Sequence, residues 1–217
     1  MTDQPPPSKS RRAFVREAPE TRRAALIQAA LELIGEAGYR SATTRAIAER
    51  AGVTLGLIRH HFHSKEDLIS AAYDAHMSAM SDLSLAPAER KDLPPDQRLA
   101  LVIEANLTPP VMSERNVTLW ASFIAQIPNE PGIRTTHDRT YLSFRDRLEA
   151  LIAETLSAQG RAVPADELRR LATSCNALID GLWLEGGACP TGFAGDDLVA
   201  MGQDRIGVLL GVTLNRF

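Results

Sequence analysis

Three histidines within four residues, His60, His61 and His63, form a dense cluster of potential metal ligands in this 217-residue chain. Neighbouring positions on a helix point in different directions, so His60 and His61 cannot readily share one ion, and no carboxylate or cysteine completes a set. No metal site is expected. Cys175 and Cys189 are too few for a disulfide framework and are not spaced as a zinc site. Neither has the basic neighbourhood of a reactive thiolate, and Cys175 suits a core. A second group is Trp120, Phe123, Tyr141, Phe144 and Trp183, aromatics on inward faces of the second half of the chain. Their default role is core packing. Their chemical role would be a cavity in which ring faces beside Asp180 or Glu185 hold a small cation. Asp180 sits between apolar Ile179 and Leu182; the alternatives for it are a water-facing helix position, a pairing with an arginine, or a dimer interface. A helical hydrolase or transferase could be built only around these same residues. The sequence offers it no Gly-rich phosphate loop, no nucleophile–base pair in a recognisable context and no metal set.

The elements that must position these groups read as helices throughout. Apolar residues recur at helical spacing over residues 20–36 and 43–51, followed by 54–61 and a helix opening at Ser64, where Ser64 and Asp67 supply a cap and an acidic first turn. Prolines and charges mark 86–97 as a connection. Helices follow over 96–106 and 111–126, with a break from Pro128 to Pro131. The stripe Tyr141, Phe144, Leu148, Leu151, Ile152 and Thr155 ends at Gly160. A further helix starts at Pro164 or Ala165 and turns Leu168, Leu171, Cys175, Ile179, Leu182 and Trp183 inward. Gly186, Gly187, Pro190, Gly192 and Gly195 suggest a connection, and residues 196–210 a last helix. There is no strand alternation and no repeat, so an all-α fold of about nine helices is expected.

Charge is segregated along this chain. Residues 1–65 carry 11 Lys and Arg against 6 Asp and Glu, a net of +5, whereas residues 66–217 net −8. A basic head on an acidic body points to a polyanionic partner for the head. The expected division is a disordered basic leader (1–19), a head (20–65) and a helical body (66–217). Arg11, Arg12 and Arg16 of the leader either sit in solvent or form an arm along DNA. No apolar stretch approaches the roughly 20 residues needed to span a bilayer, and no apolar signal core follows the polar start. A cytoplasmic protein without membrane association is expected.

Within the head, residues 44–62 have the mechanics of a helix-turn-helix. Ala48 is small where two helices cross, Gly52 tolerates positive φ at the turn, and Ile47, Val53, Ile58 and Phe62 supply the buried seam. Thr54, Leu55, Leu57, Arg59 and His60 then divide between packing and the groove face. The second helix of such a unit enters the major groove of duplex DNA.

With the preceding run from Ala29 to Ile34, Gly38-Tyr39, Ser41 to Thr44, Ala51-Gly52-Val53, and His60-x-Phe62-x-Ser64 to Leu68, the chain resembles the TetR family of transcriptional regulators over about 50 residues. The resemblance implies phosphate contacts from Thr44 and Arg45, a recognition helix presenting Thr54, Leu55, Gly56, Leu57, Arg59 and His60, and a further contact from Lys65. Arg59 and His61 stand where the family usually has tyrosines, one of which touches the DNA backbone. Arg59 can replace that contact or read guanine through its fork; His61 has less reach. The family implies a homodimer through its last two helices on a palindromic operator, released by a small-molecule effector and needing no cofactor. Ala177 to Leu184 is similar to the penultimate helix of the choline-responsive BetI-like branch, which suggests a quaternary amine. A protein-interaction module, with a helix-turn-helix that docks protein rather than DNA, is the remaining alternative.

Overall fold

The computed structural model describes residues 19–189, 191–193 and 196–214. The leader carrying Arg11, Arg12 and Arg16 lies outside the described residues, as do residues 190, 194 and 195. Nine α-helices follow one another without strands among the described residues: α1 (Pro19–Ala37), α2 (Thr44–Arg50), α3 (Leu55–His61), α4 (Lys65–Leu85), α5 (Pro95–Asn106), α6 (Glu114–Ile124), α7 (Pro131–Ala158), α8 (Ala165–Ala188) and α9 (Asp197–Leu210). Short 3-10 turns occupy Tyr39–Ser41 and Ala86–Glu89, the latter inside the expected connection.

Helix starts follow local chemistry. The Thr43, Ser64 and Ser113 side chains each accept a hydrogen bond from the N–H three residues on, at Ala46, Asp67 and Asn116. Ser113 therefore sets the start of α6 at Glu114, three residues later than the apolar pattern alone implied. No helix among the described residues is long and apolar enough to cross a membrane.

Two cores hold these helices. The first buries Leu26, Ala30 and Ile34 of α1 with Ile47, Ala48, Ile58 and Phe62 of the helix-turn-helix and Leu68, Ile69 and Tyr73 of α4. It is closed by Leu119 and Phe123 of α6 and Ile133 of α7. Val53 packs on this core but stays half-buried. The second joins α5, α7, α8 and α9 through Leu99, Ile103, Leu148, Ile152, Cys175, Ile179, Val199 and Ile206. Helix α4 runs from one core to the other, burying Leu68 near its start and Leu85 at its end.

The expected glycine-rich connection begins later than its composition suggested. Gly186 and Gly187 are buried inside α8. A Cβ on Gly187 would lie 2.2 Å from Val117 Cγ2, and one on Gly186 2.4 Å from Met112 Sδ. These positions lack side chains so that α8 can lie against α6, a contact that no local pattern reports.

Candidate functional site

Helices α2 and α3 meet across a tight turn. The Val53 N–H donates to Ala48 O at 2.9 Å and the Gly52 N–H to Glu49 O at 3.1 Å. Gly52 has φ +65°, and nothing lies within 4 Å of the Cβ it lacks. Glycine is required there by the left-handed backbone and not by crowding. The seam buries Ile47 and Ile58, which leaves Arg45, Thr54, Leu55, Gly56, Arg59 and His60 exposed and Thr44, Leu57, His61 and Lys65 half-buried. Leu55 is 52% exposed at the start of α3, an apolar residue at the tip of a polar surface. Thr54 precedes α3 but makes no side-chain capping bond, so its hydroxyl is uncommitted. Lys65 Nζ stands 5.6 Å from the Tyr39 ring centre. Burial, with His60 and the arginines Arg23 and Arg22, lowers the pKa of His61 and favours the neutral imidazole.

The arginines of α2 have separate tasks. Arg50 donates to Glu36 at 2.7 and 2.9 Å and to Glu32 at 3.4 Å, tying α2 to α1. Arg45 makes no ion pair among the described residues. Arg50 was not singled out by the sequence pattern, although its partners lie on the outer face of the preceding helix.

A cavity of about 90 Å³ lies in the body between α4, α6, α7 and α8. Five of the six expected cavity residues line it: Trp120, Tyr141, Phe144, Asp180 and Trp183. The two indoles meet edge to face with centres 5.8 Å apart, and Trp183 Nε1 donates to Val111 O at 3.1 Å. Asp180 is half-buried and makes no ion pair with an arginine among the described residues. Its Oδ2 accepts from the Tyr141 hydroxyl at 2.7 Å and from the Asn176 amide at 3.0 Å. Burial raises the Asp180 pKa, and these two hydrogen bonds oppose the rise. A half-buried carboxylate held this way, among aromatic faces, is suited to a cation.

Phe123 lies apart from the cavity. It is fully buried in the first core and stacks on Tyr73 at 4.5 Å, because α6 sits between the two cores and turns successive faces to each. Glu185 is exposed and outside the lining. The pattern did not single out His76, Met80 and Ser84 of α4 or Asn106 of α5, which complete the wall. Nor did it reveal a chain of contacts leading out of the cavity. The Tyr141 ring stacks on His137 at 5.1 Å, His137 Nδ1 lies 2.8 Å from the Tyr73 hydroxyl, and Tyr73 stacks on Phe123 in the first core.

With this geometry in hand, the similarities to known proteins are informative. Residues 26–72 match the family described as bacterial regulatory proteins, tetR family. Residues 95–211 match that described as BetI-type transcriptional repressor, C-terminal. The HTH-type transcriptional regulator BetI of Burkholderia thailandensis is 31% identical over 194 residues, 88% of this chain and 94% of that protein. Its counterpart in Burkholderia mallei is 33% identical over 170 residues, 77% and 82% respectively. A solved transcriptional regulator from Pseudomonas aeruginosa PAO1 superposes with a TM-score of 0.83 at 28% identity, covering 92% of this chain and 95% of that one. A transcriptional regulator from Saccharomonospora viridis, solved in complex with choline, shares the fold with a TM-score of 0.71 at 23% identity, covering 86% and 96%. The chain belongs to the TetR family of bacterial transcriptional regulators, carries a BetI-type C-terminal domain, and is a regulator rather than an enzyme.

Proposed function

We propose that this chain acts in the cytoplasm as a homodimeric repressor that holds a palindromic operator and is released by a compact cation bound in the body. The observation that carries this reading is α4. The helix begins at Lys65, three residues after Phe62 closes the helix-turn-helix, and its second half walls the cavity from His76 to Ser84. A ligand that displaces one wall therefore acts on the helix that supports the head.

On the DNA side, Thr44, Arg45 and Lys65 meet phosphates. Thr54, Leu55, Gly56, Leu57, Arg59 and His60 address the major groove, Leu55 suiting a thymine methyl and Arg59 a guanine or a phosphate. His61, half-buried, borders the backbone. One such head spans few base pairs, so a two-fold pair is needed for a useful specificity ratio. Leu184 of α8 and Met201, Val208 and Leu209 of α9 are large apolar side chains exposed on the helices expected to pair, Val208 to 70%. In the cavity, the Asp180 carboxylate and the faces of Trp120, Trp183, Tyr141 and Phe144 suit a quaternary amine, and a volume of about 90 Å³ favours a small one. The choline held by the Saccharomonospora regulator is of that class. By linkage, the cation releases DNA only as far as it prefers the DNA-free form.

A gel-shift titration at fixed salt tests this reading. The chain is expected to prefer an inverted repeat near its own promoter over random duplex, and choline to weaken that complex. Equal binding to both duplexes rejects the operator-binding reading.

A further inference from the structure

We infer that His76 makes the cavity selective among small cations, by hydrogen-bonding a neutral hydroxyl or carbonyl that the effector carries beside its cationic centre. The inference rests on the cavity being the effector site. An onium ion with only alkyl substituents has no hydrogen-bond donor or acceptor. Asp180 and the ring faces therefore register its charge but do not distinguish it from other cations of the same size. Discrimination needs a second polar group on another wall, and α4 supplies one.

His76 is 7% exposed on that wall, and no hydrogen bond to it is formed by the described residues. The side-chain polar atoms that the fold seals away without a partner are Arg98 Nε, Arg145 Nε and Asn176 Oδ1, and neither ring nitrogen of His76 is among them. His76 instead lines both the cavity and the groove outside it between α1, α4 and α6. The imidazole carbon frame is thus packed into the wall while its nitrogens stay open to a partner from the cavity or the groove. Burial, reinforced by the charge of Arg115, brings its pKa down to about 4. At neutral pH the ring is uncharged, does not repel a cation, and offers one N–H donor and one acceptor. It can therefore meet either a hydroxyl or a carbonyl. Beside it on the lining, the Asn106 amide already donates to Val102 O and the Ser84 hydroxyl to Ser81 O, whereas His76 makes no hydrogen bond among the described residues.

The test compares choline with n-propyltrimethylammonium, which has nearly the same size and charge but a methyl in place of the hydroxyl. Trp120 and Trp183 are the only tryptophans of the chain and both line the cavity, so their fluorescence reports binding directly. Without a polar partner the more apolar propyl compound binds better. With His76 in the role inferred, the full-length protein binds choline about tenfold more tightly, His76→Leu reverses the order, and His76→Gln retains part of the preference. Thermal melts confirm that the variants fold, and the wild-type ratio stands as a test if they do not. Equal or tighter binding of the propyl compound to wild type overturns the role of His76 and leaves the cation site intact. Binding of neither compound rejects the cation site and this inference together.

Discussion

Arg45 and Arg50 stand five residues apart on one short helix and carry the same charge, yet only the loss of Arg45 is expected to change the salt dependence of DNA binding. Arg45 is exposed and without an ion pair among the described residues, which leaves its guanidinium open to the phosphate contact proposed for it. Arg50 is held by Glu36 and Glu32, and the Glu36 carboxyl lies below its usual range because of that bond. Each phosphate contact that releases a counterion steepens the dependence of log K on log salt by about 0.9. Arg45→Ala removes one contact per head, hence about 1.8 from the slope of a dimer. Between 50 and 200 mM salt this corresponds to roughly a tenfold smaller loss of affinity in the variant than in wild type. Arg50→Ala is expected to leave the slope unchanged and to lower the melting temperature modestly, because α2 loses its tie to α1. Fluorescence anisotropy of a labelled operator duplex, selected from a random pool and titrated across a salt series, measures both slopes. A wild-type slope for Arg45→Ala, or an equal flattening for Arg50→Ala, refutes the division of labour between the two arginines.

Three other perturbations follow from the same structure. Gly187→Ala forces a methyl to within 2.2 Å of Val117 Cγ2; overpacking of this kind costs about 1–3 kcal/mol and should lower the melting temperature by roughly 3–10 °C in calorimetry, whereas an unchanged melt means that the α6–α8 spacing is not set there. Gly56→Ala should act with opposite signs on fold and function, because the nearest atom to the added methyl is Thr54 Oγ1 at 3.9 Å. Helix stability gains about 0.5–1 kcal/mol, while operator affinity in the anisotropy assay falls about tenfold as the methyl separates α3 from the groove; undiminished affinity removes Gly56 from the contact face. For His76, the folded imidazole titrates near 4 and the unfolded one near 6.5. The unfolded chain therefore binds more protons between those values, and stability declines as pH falls through that window, by on the order of 3 kcal/mol in total. Urea melts of His76→Leu should lack this part of the decline, and an identical pH profile in the variant would exclude the buried neutral ring as its source.

The head was legible in the sequence because its determinants act over three or four residues. The caps at Thr43 and Ser64, the small Ala48 at the crossing and the glycine at the turn are each local requirements. The cavity was legible in part. Helical spacing puts Trp120, Tyr141, Phe144, Asp180 and Trp183 on inward faces, but it does not say which interior each face meets. Phe123, three residues after Trp120, faces the other core. Gly186 and Gly187 carry the local signature of a break, yet the neighbour that makes them necessary is Val117 or Met112, some 70 residues earlier. The Tyr73–His137 bond joins side chains 64 residues apart. His76 looks like any histidine on an apolar stripe until the groove and cavity on its two sides are known.

The closure of the first core by Leu119, Phe123 and Ile133 bears on how such a protein can be rebuilt. A DNA-binding cassette cut after residue 65 carries Leu26, Ile34 and Ile47 but not the α4, α6 and α7 side chains that cover them. Fused to a foreign body, those surfaces would pack on whatever α4, α6 and α7 that body presents. Engineering a chimera with a new operator and an old effector is therefore first a problem in fitting Phe123 and Ile133 to their new neighbours, and only then one of joining the chain ends.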